Sequence, residues 1–298
     1  MPLPIAFFSD QHMLPGLHVA LLSLLEALDD PDREAVSIYL FLDNVPSEET
    51  RRLRETASLA RHKRFELSVS EFSPKAPEGA VGLHGNATVY GRLRLPELLP
   101  NAVRCLYLDS DLVIHRDVRE VFDHFDGEHI LLVDGAGTRE YALERDLFAK
   151  AGLSLQGPVF NSGVMGIDLA LWRSTDVAGK CADTARVYGQ ELLSADQALL
   201  NIVLSDAFKA LGDAYNTQLF PWAPPVDHLE RRIYHFVGSP KPWDPFGAWF
   251  SSHYRLWWPI YKRTAIGHRS PLRYATRGRT LSIARQIVRS AVRKFRRG

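Results

Sequence analysis

Sulfur is scarce in this chain: two cysteines and three methionines among 298 residues. Cys105 lies in an apolar run and Cys181 in a helix-like stretch. Two thiols make neither a disulfide scaffold nor a zinc cluster, so both read as small buried hydrophobes. No apolar stretch reaches the roughly 18–20 residues of a membrane-spanning helix. The opening Met1-Pro2-Leu3-Pro4 lacks the basic region and cleavage site of a secretory signal. A cytoplasmic chain is expected, in the cytosol or peripheral at the inner face of the cytoplasmic membrane. No internal repeat is visible. Acid is missing from one end: residues 271–298 hold nine Arg and Lys and no Asp or Glu. Of the 36 basic side chains that leaves 27 against 35 acidic in the other 270 residues, a balance of −8. An acidic body and a basic tail are built for different surroundings.

What is present is an ordinary globular composition, 46% hydrophobic and 24% charged. It fits one domain over residues 1–268 followed by a tail over 269–298. Apolar runs alternate with helix-like stretches. Ile5–Ser9 reads as a buried strand, Gly16–Leu28 as a helix and Val36–Leu42 as a strand. Ser47, an N-cap candidate, opens a helix to about His62. Phe65–Ser70, Arg104–Leu108, His129–Val133, Phe160–Leu169 and Arg232–Val237 read as further strands. Thr88–Leu99, Thr175–Gln190 and Ala195–Leu204 read as helices. Pro74–Gly85 reads as a loop, and the Pro- and Trp-rich stretch 220–258 as ordered loops over the site. This order predicts an α/β fold with a mixed, mostly parallel sheet covered on both faces.

The strongest local signal is Cys105-Leu106-Tyr107-Leu108-Asp109-Ser110-Asp111, an apolar strand running into two carboxylates one residue apart. In extended chain they point the same way, toward the carboxyl end of the sheet where α/β folds bind ligands. Paired carboxylates repel unless a cation sits between them, and a divalent metal bridging to a diphosphate meets that need. The alternative is a turn with two solvated acids. The second signal is His235-Phe236-Val237-Gly238-Ser239-Pro240-Lys241-Pro242-Trp243. It offers an imidazole for the metal, a glycine that lets backbone approach a phosphate, and a cation held between prolines. Two carboxylates and an imidazole suit manganese or magnesium, and the nitrogen ligand favours manganese. Phe160-Asn161-Ser162-Gly163 puts polar groups in an apolar run, with a bulge carrying a satisfied Asn as the plain alternative. Ser194-Ala195-Asp196-Gln197 opens a helix, where Ser194 as N-cap and Asp196 as a dipole acid is the plain alternative.

Together these segments resemble glycosyltransferase family 8, and within it the bacterial lipooligosaccharide and lipopolysaccharide galactosyl- and glucosyltransferases. The matching pieces appear in family order. They are an early strand ending in Asp10, Thr88-Val89-Tyr90-Gly91-Arg92-Leu93, Asp109-Ser110-Asp111, Asn161-Ser162-Gly163-Val164, Asp196-Gln197, and the run from His235 to Trp243. The double aspartate and the last motif, at this separation, are specific to the family, and the others support them. The resemblance implies a GT-A fold with a single nucleotide-binding domain, a UDP-sugar donor, and Mn²⁺ held by Asp109, Asp111 and His235. It puts Asp10 and Ser110 by the nucleoside, Arg92 near the donor, and Gly238 and Lys241 on the diphosphate. Asn161, Asp196 and Gln197 line the transferring sugar, and Asp134 touches donor sugar or acceptor. After Asp10 the chain reads Gln11-His12-Met13 where the family often carries an aromatic side chain against the base, so His12 is the candidate for that contact.

A diphosphate leaves as a stable anion, so the demand is for cationic help on the β-phosphate, which the metal and Lys241 supply. Retention, implied by the resemblance, leaves two routes: attack by Asp196, or same-face attack by the acceptor with the Gln197 carbonyl as stabiliser. The second is preferred. In the tail, Ala284, Ile287, Val288, Ala291, Val292 and Phe295 recur beside Arg285, Arg289, Arg293 and Arg297. That is a basic amphipathic helix suited to an anionic membrane surface, with a disordered solubilising tail as the alternative and no nucleic-acid module in sight. A galactose or glucose transfer to a lipopolysaccharide or other lipid-linked or surface glycan is the expected activity. Its rivals are a haloacid dehalogenase-type phosphatase and a non-catalytic sugar-nucleotide or membrane binding protein. The first expects its Asp pair near the start of the domain, and the second expects a decayed ligand set.

Overall fold

A computed structural model of the chain describes residues 2–284, apart from 31, 62–63, 84–85, 206, 227–229, 277, 279 and 282. Its centre is a seven-stranded sheet of β1 (Leu3–Asp10), β2 (Val36–Asp43), β3 (Phe65–Glu71), β4 (Arg104–Leu108), β6 (Leu131–Thr138), β7 (Pro158–Asp168) and β8 (Phe208–Ala210). The order is β3-β2-β1-β4-β7-β6-β8. β3, β2, β1 and β4 run parallel, β7 is antiparallel to both β4 and β6, and β8 is parallel to β6. The sheet is therefore mixed and mostly parallel, as the alternation of runs predicts. Ile5 and Phe7 enter one apolar layer while Ala6 and Phe8 enter the other, which is why the central strands are unbroken apolar runs. Cys105 and Cys181 are both buried in the second layer as unpaired thiols.

Helix α1 (Leu14–Ala27) has hardly a polar face because it has hardly a solvent face: Leu14 through Leu25 are all buried. It packs on α2 (Ser47–Leu59), on the helix Tyr254–Tyr261, and on the short strand β5 (Leu112–Ile114). β5 belongs to a second, three-stranded sheet with β10 (Ile233–Phe236) and β9 (Thr217–Leu219), in the order β5-β10-β9. β10 is antiparallel to β5 and parallel to β9. This small sheet is what joins the two strongest sequence signals.

Several predicted elements shift. Ser47 is the first residue of α2, not its cap, and α2 ends at Leu59, short of the predicted His62. Thr88–Leu99 is a 3-10 segment, Thr88–Arg94, followed by one α turn, Leu95–Leu98 with Pro96 in its first turn. The strand predicted at His129–Val133 starts later and runs on through Gly135-Ala136-Gly137 to Thr138. Register shifts after Val133 and Gly135 keep it paired with β7. The predicted basic helix falls almost wholly on residues 285–298, outside the described residues. The stretch before it lies on the body: Tyr274 is buried, its hydroxyl donates to Glu49 Oε2 (3.0 Å), and Arg269 pairs with Glu48 and Glu49.

Candidate active site

The cleft lies at the carboxyl ends of β1 and β4, with an accessible volume of about 1490 Å³, above the range usual for one small ligand. Its walls bring together Asp10, His12, Arg92, Ser110, Asn161, Asp196, Gln197, Gly238, Lys241 and the triad Asp109, Asp111 and His235. Asp134 is not on that wall. It is buried behind it, opposite Asn161 in the β6–β7 ladder, where burial and then Asp213 push its carboxyl up to about 6.

The triad forms because β10 pairs with β5, directly after the second aspartate. His235 sits opposite Leu112, and the Phe236 N–H donates to the Asp111 carbonyl (3.0 Å). One carboxylate oxygen each from Asp109 and Asp111 and a ring nitrogen of His235 lie within 4.8 Å of one another. His235 Nε2 is 3.2 Å from Asp111 Oδ1 and 3.8 Å from Asp109 Oδ2. The buried Asp111 Oδ1 receives no hydrogen bond among the described residues. An orphaned carboxylate oxygen facing an imidazole and a second carboxylate fits a divalent cation. Burial opposes ionisation of Asp111, but Lys241 and then His235 outweigh it and hold the carboxyl well below the usual range. Lys241 Nζ lies 2.6 Å from Asp111 Oδ2 and also donates to the Phe236 carbonyl. Gly238, at φ 75°, turns the chain between His235 and Lys241 in a conformation that side chains rarely adopt.

Arg92 is more deeply engaged than a donor contact requires. Only 4% exposed, it binds Asp109 (Nη2–Oδ1 2.9 Å), Asp196 (Nε–Oδ2 3.1 Å) and the Ser162 carbonyl (Nη1–O 2.6 Å), and stacks on Tyr107. Burial works against its charge, and Asp109 and Asp196 more than offset that. Asp196 is pushed up to about 6 by burial, with Arg92 opposing and Asp109 adding. Its Oδ2 also accepts from the Ser162 hydroxyl (3.3 Å). The helix Asp196–Val203 is capped by Ala195, at φ 49° and ψ −116°, a strained conformation of the kind found at functional sites. Ser194, a cap in the plain alternative reading, is instead bonded to Glu144 through both its N–H and its hydroxyl.

Gln197 Oε1 accepts from Asn161 Nδ2 (2.9 Å) and from the Ser162 N–H (3.3 Å). The carbonyl that sequence reasoning aims at the sugar thus already holds two donors. His12 is held between the Asp244 carboxylate (3.2 Å) and the Tyr274 carbonyl (3.2 Å). Asp10 accepts from the Met13 N–H (3.0 Å) and from Asn86. Sequence reasoning missed Asn86, Tyr107, Asp244 and Asn216. Tyr107 stood in plain view, since its hydroxyl donates to Asp109 two residues along the same strand face. Asn216 carried no signal. It is buried before β9 and reaches the site only because β9 pairs with β10.

The family model described as Glycosyl transferase family 8 matches residues 4–246. Glycosyltransferase GlyE of Streptococcus pneumoniae is 27% identical over 187 residues, 59% of this chain and 41% of that protein. The chain thus spans about two fifths of that relative's length. The lipopolysaccharide 1,3-galactosyltransferase of Salmonella typhimurium is 26% identical over 264 residues, 85% of this chain and 76% of that one. The crystal structure of the galactosyltransferase LgtC, solved with donor and acceptor sugar analogs, superposes with a TM-score of 0.67. It covers 88% of this chain and 96% of its own at 19% identity, a likeness of fold.

Proposed function

The chain belongs to glycosyltransferase family 8, and we propose that it is a retaining, metal-dependent hexosyltransferase that moves galactose or glucose from a UDP-sugar to a lipopolysaccharide or other lipid-linked or surface glycan. The observation that carries this reading is the convergence of Asp109, Asp111 and His235 at one end of a cleft whose wall also holds Asn161, Asp196 and Gln197. A Mn²⁺ or Mg²⁺ ion held by that triad supplies charge neutralisation for the leaving diphosphate. Lys241, within reach of Asp111, adds a second cation on the same side. Asp10 and Ser110 stand at the strand ends where α/β folds hold a nucleoside.

At the sugar end, Asp196 is neutralised by Arg92 and bonded to Ser162, which leaves little of the free nucleophile that double displacement needs. The arrangement therefore favours same-face attack. In this reading the acceptor hydroxyl enters beside the leaving phosphate, whose oxygen takes its proton, and Gln197, on the same wall, is the residue assigned to the sugar's reacting face. The choice of hexose and acceptor rests on similarity to the Salmonella galactosyltransferase. A lipid-linked acceptor also accounts for the arginine-rich tail, which we assign to the anionic membrane face. Among the described residues no helix is long and apolar enough to cross a membrane. Vesicle co-sedimentation with and without residues 285–298, a deletion that spares the buried Tyr274, tests the assignment, and unchanged binding removes it. The central test incubates the protein with Mn²⁺ and a panel of UDP-sugars, reading slow donor hydrolysis and thermal protection. UDP-galactose or UDP-glucose should stand out in both. No response to any nucleotide sugar, with metal present, refutes the reading.

A further inference from the structure

The side chains of His235, Asn216, Asn161 and Gln197 form one unbroken chain of hydrogen bonds from the metal end of the cleft to the sugar end. The shape of an amide does not tell its oxygen from its nitrogen, but a backbone N–H can only donate. Two such donors fix the whole chain. The Ser162 N–H points at Gln197, so that atom is Oε1 (3.3 Å). The Gly163 N–H points at Asn161, so that atom is Oδ1 (3.0 Å). Asn161 must then turn Nδ2 to Gln197 Oε1 (2.9 Å), while its Oδ1 also accepts from Asn216 Nδ2 (2.8 Å). Each carbonyl oxygen takes two donors, its full complement. Asn216, having spent its nitrogen, faces His235 with Oδ1 at 3.0 Å, so the ring Nδ1 there carries the proton. The ring nitrogen left for a cation is Nε2, the one beside Asp109 and Asp111.

We propose that Asn216 is a positioning residue. Through a polarity dictated by the backbone of β7, it locks His235 with Nδ1–H as donor and Nε2 toward the metal, and it mechanically links that ligand to Gln197. This rests on the metal reading of the cleft. Partners of this kind typically raise metal affinity about 10–100-fold by orienting the ring and fixing its tautomer.

Long-range ¹H–¹⁵N correlation spectra of the full-length, metal-free protein read the tautomer directly, and His235 Nδ1 should appear protonated. Mn²⁺ affinity, followed by electron paramagnetic resonance, should weaken about 10–100-fold in Asn216→Leu. Asn216→Asp keeps an acceptor for Nδ1–H but turns an oxygen in place of the Nδ2 donor toward Asn161 Oδ1, so it should recover part of that loss and bind Mn²⁺ more tightly than Asn216→Leu. A purely structural role would lower the melting temperature of both variants and leave the Mn²⁺ affinity unchanged. An unprotonated Nδ1 in the native protein, or wild-type Mn²⁺ affinity in Asn216→Leu, overturns the proposal; the first reading stands even if a variant fails to fold. Native protein that binds no Mn²⁺ overturns the metal reading instead, and the two failures are told apart because the tautomer is read without metal.

Discussion

Replacing His18 with leucine should flatten the acid limb of the stability curve. His18 lies on α1 with its ring fully buried. Nδ1 is 2.7 Å from Thr56 Oγ1 on α2, and Nε2 has no hydrogen-bond partner among the described residues. Burial, helped by the charges of Arg52 and Arg269, pushes the imidazole down from 6.5 to about 3. The unfolded chain therefore takes up a proton as pH falls below about 6.5, while the folded chain does not until about 3. This group costs no stability at neutral pH, and the loss grows between those two values. Linkage puts it at about 2 kcal/mol by pH 5 and about 4 kcal/mol by pH 3. His18→Leu forfeits the Thr56 contact, about 1 kcal/mol at every pH, but it removes the titration. Urea unfolding of both proteins from about pH 7.5 to about pH 5 isolates the slope. The native protein should lose about 2 kcal/mol more than the variant over that interval. Parallel curves would refute the claim that a neutral His18 is locked between α1 and α2.

Arg92→Met strands the Asp109 and Asp196 carboxylates without their buried cation, and should cost about 3–5 kcal/mol in urea unfolding. A loss under about 1 kcal/mol would mean that solvent reaches the pair. A Cβ at Gly163 would lie 2.3 Å from His235 Cε1, so Gly163→Ala should displace the ring and weaken Mn²⁺ binding by tenfold or more (about 1.4 kcal/mol) in calorimetry; unchanged affinity contradicts the geometry. Asp111→Asn removes the carboxylate shared by His235 and Lys241. Any Mn²⁺-dependent thermal shift with UDP-sugar should vanish in that variant, as it should on adding EDTA to the native protein, and its survival would place the cation elsewhere.

How much of this was legible beforehand differs from residue to residue. The central strands announced themselves as apolar runs, because burial on both faces leaves no polar position to interrupt them. Asp109 and Asp111 could be placed on one face at the end of β4 from the two-residue period alone. The expected cap Ser47 falls one residue inside α2, and the plain alternative of Ser194 as a cap fails because Glu144 takes its hydroxyl. Arg92 reads as a residue near the donor, and nothing local reveals that Asp109, Asp196 and the Ser162 carbonyl already hold it.

The sequence by itself determined the α/β alternation, the pair of carboxylates at a strand end, and the His-to-Trp run with its imidazole, glycine and cation. Each is a local matter of side-chain period and residue type. Tertiary structure alone decided that β5 leaves the main sheet to pair with β10, which carries His235 to Asp111 across more than a hundred residues of chain. It also decided that β9 beside β10 brings Asn216 against the ring. Strand pairing is set by which edges remain after the two faces of the sheet and the unexposed helix α1 are covered. That competition for burial involves the whole chain, and no window of sequence contains it.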